Sequence, residues 1–181
     1  MENNLHNNYL FKALDAYPYE LEETLEALNY ALSYNSKDAQ ALCLMGRVYA
    51  EQLKDYETAK YYYAEAVAHE MDMPKTYPFY IQTLLWNEDY DEAEKLIAFA
   101  LTLKGVNKAI LHYYKAVLLE ERGLFKAAIK VYKTALKLAT DNCIINYVEN
   151  ELSRVKKKIK PKKKKKKSKK KKSKKAEKSA K

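Results

Sequence analysis

Small and large apolar residues return along this chain with a long period. Ala31, Ala66, Ala100 and Ala135 stand 35, 34 and 35 residues apart. Seven residues before each is a small side chain: Thr24, Ala59, Ala93 and Ala128. Three residues before each is a larger apolar one (Leu28, Tyr63, Ile97, Tyr132), and ten before it come Leu21, Tyr56, Tyr90 and Phe125. Offsets of three, four and seven lie on one face of a helix, so each copy predicts an amphipathic helix with a stripe of small residues. Four copies at this period predict helix pairs stacked into a solenoid.

The intervening stretches complete the pairs. Leu5 to Tyr17 has Leu5, Tyr9, Leu10, Ala13, Leu14 and Tyr17 at helical spacing, and Pro18 breaks it before a second helix over Glu20 to Tyr34. Asp38 is placed to cap a helix from Ala39 to Leu53 that presents Leu42, Met45, Gly46 and Tyr49 inward. Glycine inside a helix costs about 1 kcal/mol relative to alanine, so Gly46 predicts a close approach of the partner helix near Ala59. In the third copy Tyr77, Tyr80, Ile81, Leu84 and Leu85 follow Pro74 at helical spacing, and Pro78 among them fits only a first turn. Tyr90 to Lys104 then pairs with it, and Gly105 stops that helix. The fourth copy has Ile110, Tyr113, Tyr114, Val117 and Leu118 before Gly123, then a helix from Leu124 to Ala139. Beyond Thr140-Asp141-Asn142, Ile145, Val148, Leu152, Val155 and Ile159 form one apolar stripe, as expected of a helix covering the open end of a solenoid.

Particular residues in this pattern resemble a known family. Tyr56-Glu-Thr-Ala59, Tyr90-Asp-Glu-Ala93 and Phe125-Lys-Ala-Ala128 look like the second helix of a tetratricopeptide repeat. Met45-Gly46 followed by Tyr49 is similar to its first-helix signature. The resemblance covers roughly residues 5–140. It implies an all-α, right-handed solenoid of antiparallel helix pairs, with about four repeats and a capping helix from about residue 142. The turn Lys54-Asp55 is one residue longer than the family spacing. The first helix pair lacks a clear match and reads as a degenerate copy or an N-terminal cap.

Charge divides the chain in two. Residues 156–181 hold eighteen lysines and one acid, Glu177, for a charge of +17. The whole chain carries +10, which leaves −7 for residues 1–155. We therefore expect a mildly acidic repeat domain over 1–155 and a disordered basic tail over 156–181, because the residues after Pro161 include no apolar side chain larger than alanine. The lysines Lys162, Lys163, Lys164, Lys165, Lys166 and Lys167, then Lys169, Lys170, Lys171 and Lys172, would bind polyanions through counterion release. Without arginine or interleaved aromatics they would not read a base sequence.

Catalytic chemistry finds no footing. Cys43 and Cys143 are 100 residues apart with no CxxC, and His6, His69 and His112 have no metal-ligand spacing. There is no glycine-rich phosphate loop and no nucleophile elbow. Paired acids such as Glu120-Glu121 read as solvated helix surface. No cofactor and no metal are expected. An N-terminus without a basic start or an apolar stretch, and reduced cysteines, predict a soluble cytoplasmic protein.

The seventeen tyrosines are the unusual feature of the body. The resemblance implies that Tyr49, Tyr56, Tyr63, Tyr90 and Tyr132 pack between helices, whereas the remaining tyrosines, Tyr61 and Tyr113 among them, are candidates for a binding surface. In a curved stack the first helix of each pair lines the inner face. The resemblance then implies a groove lined by Gln40, Cys43, Arg47, Lys75, Gln82, Tyr113 and Val117. Some family members clamp a terminal carboxylate with Lys and Asn; the matching positions here hold Cys43, Pro78, Tyr113, Arg47, Gln82 and Val117, so that clamp is absent. The expected ligand is a peptide or protein segment, and the expected function is that of a non-enzymatic adaptor with a polyanion-attaching tail. The alternative makes nucleic acid or ribosome attachment through the tail primary, with the repeats serving assembly or self-association.

Overall fold

The computed structural model describes residues 2–159, with side chains from 8 to 159. Leu5 and His6 lack described side chains, and the tail lysines Lys162 to Lys172 lie outside the described residues. The described chain is helical: α1 Glu2–Ala16, α2 Leu21–Tyr34, α3 Ala39–Arg47, α4 Tyr56–His69, α5 Thr76–Trp86, α6 Tyr90–Ala100, α7 Lys108–Glu121, α8 Phe125–Leu138 and α9 Asn142–Ile159. Among these residues no helix is long and apolar enough to cross a membrane.

Local chemistry sets the helix starts. Side chains of Asp38, Asp55 and Asn107 accept hydrogen bonds from the backbone N–H groups of Ala41, Thr58 and Ile110, at 2.6, 3.1 and 3.2 Å. Asp141 accepts from Cys143 at 2.6 Å. Each satisfies a donor that the first helical turn leaves without a partner. Pro78 is the third residue of α5, within the first turn that tolerates it.

The extra residue of the second repeat does not lengthen the turn. It is absorbed at the end of α3, where Val48–Leu53 adopts the i→i+5 bonding of a π-helix. This wider turn carries Glu51 and Gln52, and Gln52 Nε2 reaches back to donate to the Pro18 carbonyl at 2.7 Å.

The first helices of three pairs end in the same way, with a left-handed residue at Lys54 (φ 58°), Glu88 (φ 62°) and Gly123 (φ 74°). Only the last is glycine, the residue that adopts this geometry without a Cβ penalty. Replacing Glu88 by glycine is therefore expected to raise stability by about 0.5 kcal/mol, after allowing for the freer unfolded chain. An increase in the urea midpoint at constant m would confirm it, and a decrease would refute it.

The small-residue stripe is the seam of the stack. Thr24, Ala31, Ala59, Ala66, Ala93, Ala100, Ala128 and Ala135 are all 0 % exposed. Thr24 avoids an orphaned hydroxyl by donating to the Glu20 carbonyl at 2.7 Å. Large residues interlock between the seams: Tyr63, Tyr77 and Tyr132 are fully buried, with Leu28, Met45, Ile81, Leu84, Ile97 and Leu111. Of the five tyrosines predicted to pack, Tyr63 and Tyr132 are buried, and Tyr49, Tyr56 and Tyr90 are half-buried. Gly46 has the close neighbour its sequence implies, but that neighbour is an aromatic ring. A Cβ at Gly46 would lie 2.9 Å from Cδ1 and Cε1 of Tyr63.

Helix α9 completes the register. Its cap Asp141 follows Asn107, the cap of α7, by 34 residues, so α9 occupies the place of a fifth first helix. Val148, Leu152 and Val155 are buried against Ala116, Ala128, Tyr132 and Ala135. Asn146, Glu149, Asn150, Ser153, Lys156 and Lys157 are exposed on the other side, which is too polar to receive another pair.

One surface expectation is corrected here. Glu120 is not solvated: it is 4 % exposed and accepts from Arg154 Nη1 at 2.6 Å, Arg154 Nη2 at 2.8 Å and Lys158 Nζ at 2.6 Å. Tyr132 donates to the same carboxylate at 3.3 Å. Arg154 and Lys158 both come from α9, so this cluster ties the last helix to α7. Helix α9 runs to Ile159, the last residue of the apolar stripe read from the sequence.

Candidate functional site

Successive first helices touch one another through a row of aromatic and polar side chains. At the N-terminal end the Arg47 guanidinium lies between two rings, 4.6 Å from the centroid of Tyr17 and 4.3 Å from that of Phe79. Its Nε also donates to Glu51 at 3.2 Å. The Tyr17 hydroxyl donates to the same Glu51 carboxylate. Burial, together with that carboxylate, pushes the Tyr17 phenol up to about 12. Arg47 thus joins α3 to α5 and to the end of α1, and its charge is already matched.

Further along, the Tyr114 hydroxyl of α7 donates to Gln82 Oε1 of α5 at 3.2 Å. The Tyr113 hydroxyl donates to the Tyr147 hydroxyl of α9 at 3.1 Å, with the two rings edge to face at 5.2 Å. Burial raises the phenols of both Tyr113 and Tyr114, so they remain neutral hydrogen-bonding groups at physiological pH.

Between α5, α7 and α9 these side chains leave a cleft of about 390 Å³. Gln82, Leu85, Trp86, Tyr90, Tyr113, Tyr114, Val117 and Tyr147 form its walls, and Glu88 and Glu121 complete the lining. Trp86, the single tryptophan of the chain, is 41 % exposed there. Its ring faces the Lys54 ammonium, 5.5 Å from the ring centroid. Next to this cleft lies an apolar hollow formed by Ile110, Ile144, Cys143 and Val148 with Tyr113, Tyr114 and Tyr147. Such a surface offers flat aromatic area and hydroxyl groups to an extended segment.

The residues predicted for the groove divide accordingly. Gln82, Tyr113 and Val117 share the cleft wall. Arg47 is on the neighbouring stretch of first helices, held by Tyr17, Phe79 and Glu51. Gln40 and Lys75 are exposed at the starts of α3 and α5 and do not line the cleft. Cys43 is a correction: it is buried in the core beside Leu42, Tyr63 and Tyr80, and burial pushes its thiol up. Of the leftover tyrosines, Tyr113 is in the cleft, and Tyr61 is 61 % exposed on the outer side of α4 with Glu57, Ala64 and Ala68.

Sequence reasoning missed Tyr17, Phe79, Trp86, Tyr114 and Tyr147. Tyr147 had a usable signal, since it follows Tyr113 by 34 residues. Extending the repeat register into α9 would have found it. Among the described residues no three His, Cys, Asp or Glu side chains come together to hold a metal ion.

No family model and no curated protein matches the sequence. Solved structures do match the fold. Pseudomonas aeruginosa PilF superposes with a TM-score of 0.73 at 14 % identity, over 87 % of this chain and 71 % of its own. YrrB, described as a TPR protein with an unusual peptide-binding site, superposes at 0.61 and 20 % identity, over 84 % of this chain and 78 % of its own. The ArsTM double mutant of MamA RS-1 superposes at 0.64 and 16 % identity, over 87 % and 96 %. With the buried small-residue seam, the Gly46 contact and the 34-residue register, these likenesses establish that residues 2–159 of this chain have the tetratricopeptide-repeat fold.

Proposed function

We propose that this protein is a non-enzymatic interaction scaffold that holds a peptide or protein segment against its first-helix face, at the cleft between α5, α7 and α9. The observation that carries this reading is the cleft wall itself. Three successive first helices contribute Gln82, Tyr113, Tyr114, Val117 and Tyr147 to one surface, and Trp86 stands half-open beside them. Tyrosine and tryptophan give contact area with little loss of rotamer freedom, which suits recognition of a segment more than chemistry on a small molecule. A peptide-binding site described for YrrB, a protein of the same fold, supports the reading by analogy. The lysine-rich tail would add weak, salt-sensitive attachment to polyanions.

The test is capture through a photocrosslinking residue at position 147 in the full-length protein, with position 61 as the outer-surface control. Crosslinked segments are expected from position 147 and not from 61. Substituting Trp86 by alanine is expected to reduce capture by roughly tenfold, the loss of one central aromatic contact.

A further inference from the structure

The cleft has a charge that its own domain does not neutralise. Acids at the neighbouring turns are matched: Asp91 and Glu94 pair with Arg122 at 2.5 and 2.6 Å, and Glu57 and Asp89 pair with Lys60 at 2.8 and 2.7 Å. Glu88 and Glu121, which line the cleft, have no ion pair among the described residues. They flank Tyr90, whose phenol is pushed up by burial and by both carboxylates. Among the described residues no lysine, arginine or histidine lines the cleft. Its walls are aromatic faces, which attract an ammonium within about 6 Å of the ring centre, and Trp86 already faces the ammonium of Lys54.

The chain supplies many such groups nearby. Lys158 Nζ bonds to Glu120, one residue before Glu121 of the cleft, and lies 5.7 Å over the Phe125 ring. Ile159 borders a hollow with Gly123, Leu124 and Phe125 at the α7–α8 turn. The described chain therefore ends beside the C-terminal end of α7, the helix that carries Glu121. The 22 residues that follow contain fifteen lysines and one acid. Extended, they could span up to about 75 Å, many times the distance needed.

We propose that the cleft between α5, α7 and α9 receives lysine side chains, and that its occupant is the chain's own lysine-rich C-terminal segment, which competes with a partner for the same aromatic walls. This rests on the reading of the cleft as a binding surface and adds a regulator to it. Attraction between a tail of this charge and two unmatched carboxylates is local at low salt and is screened when the Debye length falls below the size of the cleft mouth. A polyanion that binds the tail, or salt that screens it, would free the cleft.

The experiment uses the full-length protein as an equal mixture of unlabelled and fully ¹⁵N-labelled chains. Zero-length carbodiimide coupling joins a carboxylate to a lysine in direct contact, and the isotopes separate links within a chain from links between chains. At low salt the expected result is intrachain links from Glu88 and Glu121 to lysines between Lys162 and Lys172. These should exceed links to Glu22, Glu23 and Glu26 of α2 by about tenfold and fall by about tenfold at high salt. The double variant E88Q/E121Q should lose them without a change in Tm. Equal coupling to all exposed acids, or absence of tail links, overturns the proposal. Links predominantly between isotopes also overturn it, because the occupant is then a second copy. Capture from position 147 that persists without tail links would sink the tail assignment alone, whereas tail links without any segment captured would sink the adaptor reading instead.

Discussion

Replacing Arg154 and Lys158 together by leucine is expected to lower stability by about 3–5 kcal/mol, the range for stripping the partners from a buried charge. Burial is asymmetric in the Glu120 cluster. The carboxylate is 4 % exposed, whereas the side chains of both cations are 46 % exposed. Removing the cations strands a charge in the core, while removing the anion lets the cations return to water, with Glu151 still beside Arg154. Glu120→Gln should therefore cost only about 1 kcal/mol, the scale of an ordinary hydrogen bond. Single Arg154→Leu should fall between, about 2 kcal/mol, since Lys158 remains and Arg154 is half solvated. A larger loss from Glu120→Gln than from the double cation variant would contradict this account.

The same cluster sets a pH dependence. Burial acts to raise the Glu120 carboxyl, but the hydrogen bonds and charges of Arg154 and Lys158 outweigh it and hold it below its ordinary value of 4.5. A carboxylate depressed in the folded state contributes stability that is fully present above its unfolded pKa. That contribution is lost as pH falls through the lower folded value. Stability measured by urea unfolding should thus drop below about pH 4.5 in the wild type, and the drop should be shallower in Glu120→Gln. Identical acid limbs for the two proteins would rule the linkage out.

The second large effect is opposite in sign to helix propensity. Gly46→Ala should gain about 1 kcal/mol on propensity alone. The new Cβ, however, would stand 2.9 Å from the ring of Tyr63. That ring is 1 % exposed and stacked on Tyr80 with centroids 5.6 Å apart, so it has nowhere to turn. Overpacking of this kind costs about 1–3 kcal/mol, and we expect a net loss of about 1–2 kcal/mol, lowering Tm by several degrees. Shortening the opposing side chain should relieve the clash, so Gly46→Ala should cost less in a Tyr63→Leu background than alone. A double-mutant cycle with no coupling, or a Tm that rises in Gly46→Ala, would show that the contact does not constrain the helix pair.

Much of the fold was legible because it depends on repetition. All eight small-residue positions chosen from spacing alone are fully buried. The cap at Asp38 and the apolar stripe of α9 follow from equally local rules. What sequence could not reveal is how side chains from different repeats meet. Glu120-Glu121 looks like an ordinary acidic surface pair; only the 34-residue step to Arg154 separates a buried carboxylate from one on a cleft rim. Cys43 occupies a first-helix position expected to face the groove, yet it turns into the core beside Tyr63 and Tyr80. The extra residue at the end of α3 gave no indication of whether a turn or a helix would take it up. The structure takes it up as a π-helical turn that brings Glu51 to Arg47 and Tyr17. The cleft itself needs Trp86, Tyr114 and Tyr147 from three helices, and no single repeat contains that combination.

A bound partner segment should lie against Tyr147, and the photocrosslink from position 147 compared with position 61 measures that most directly. We predict segments joined through position 147, weakened by Trp86→Ala at unchanged Tm, and none joined through position 61. Segments captured equally from both positions, or capture from 147 that is indifferent to Trp86, would contradict a binding surface between α5, α7 and α9.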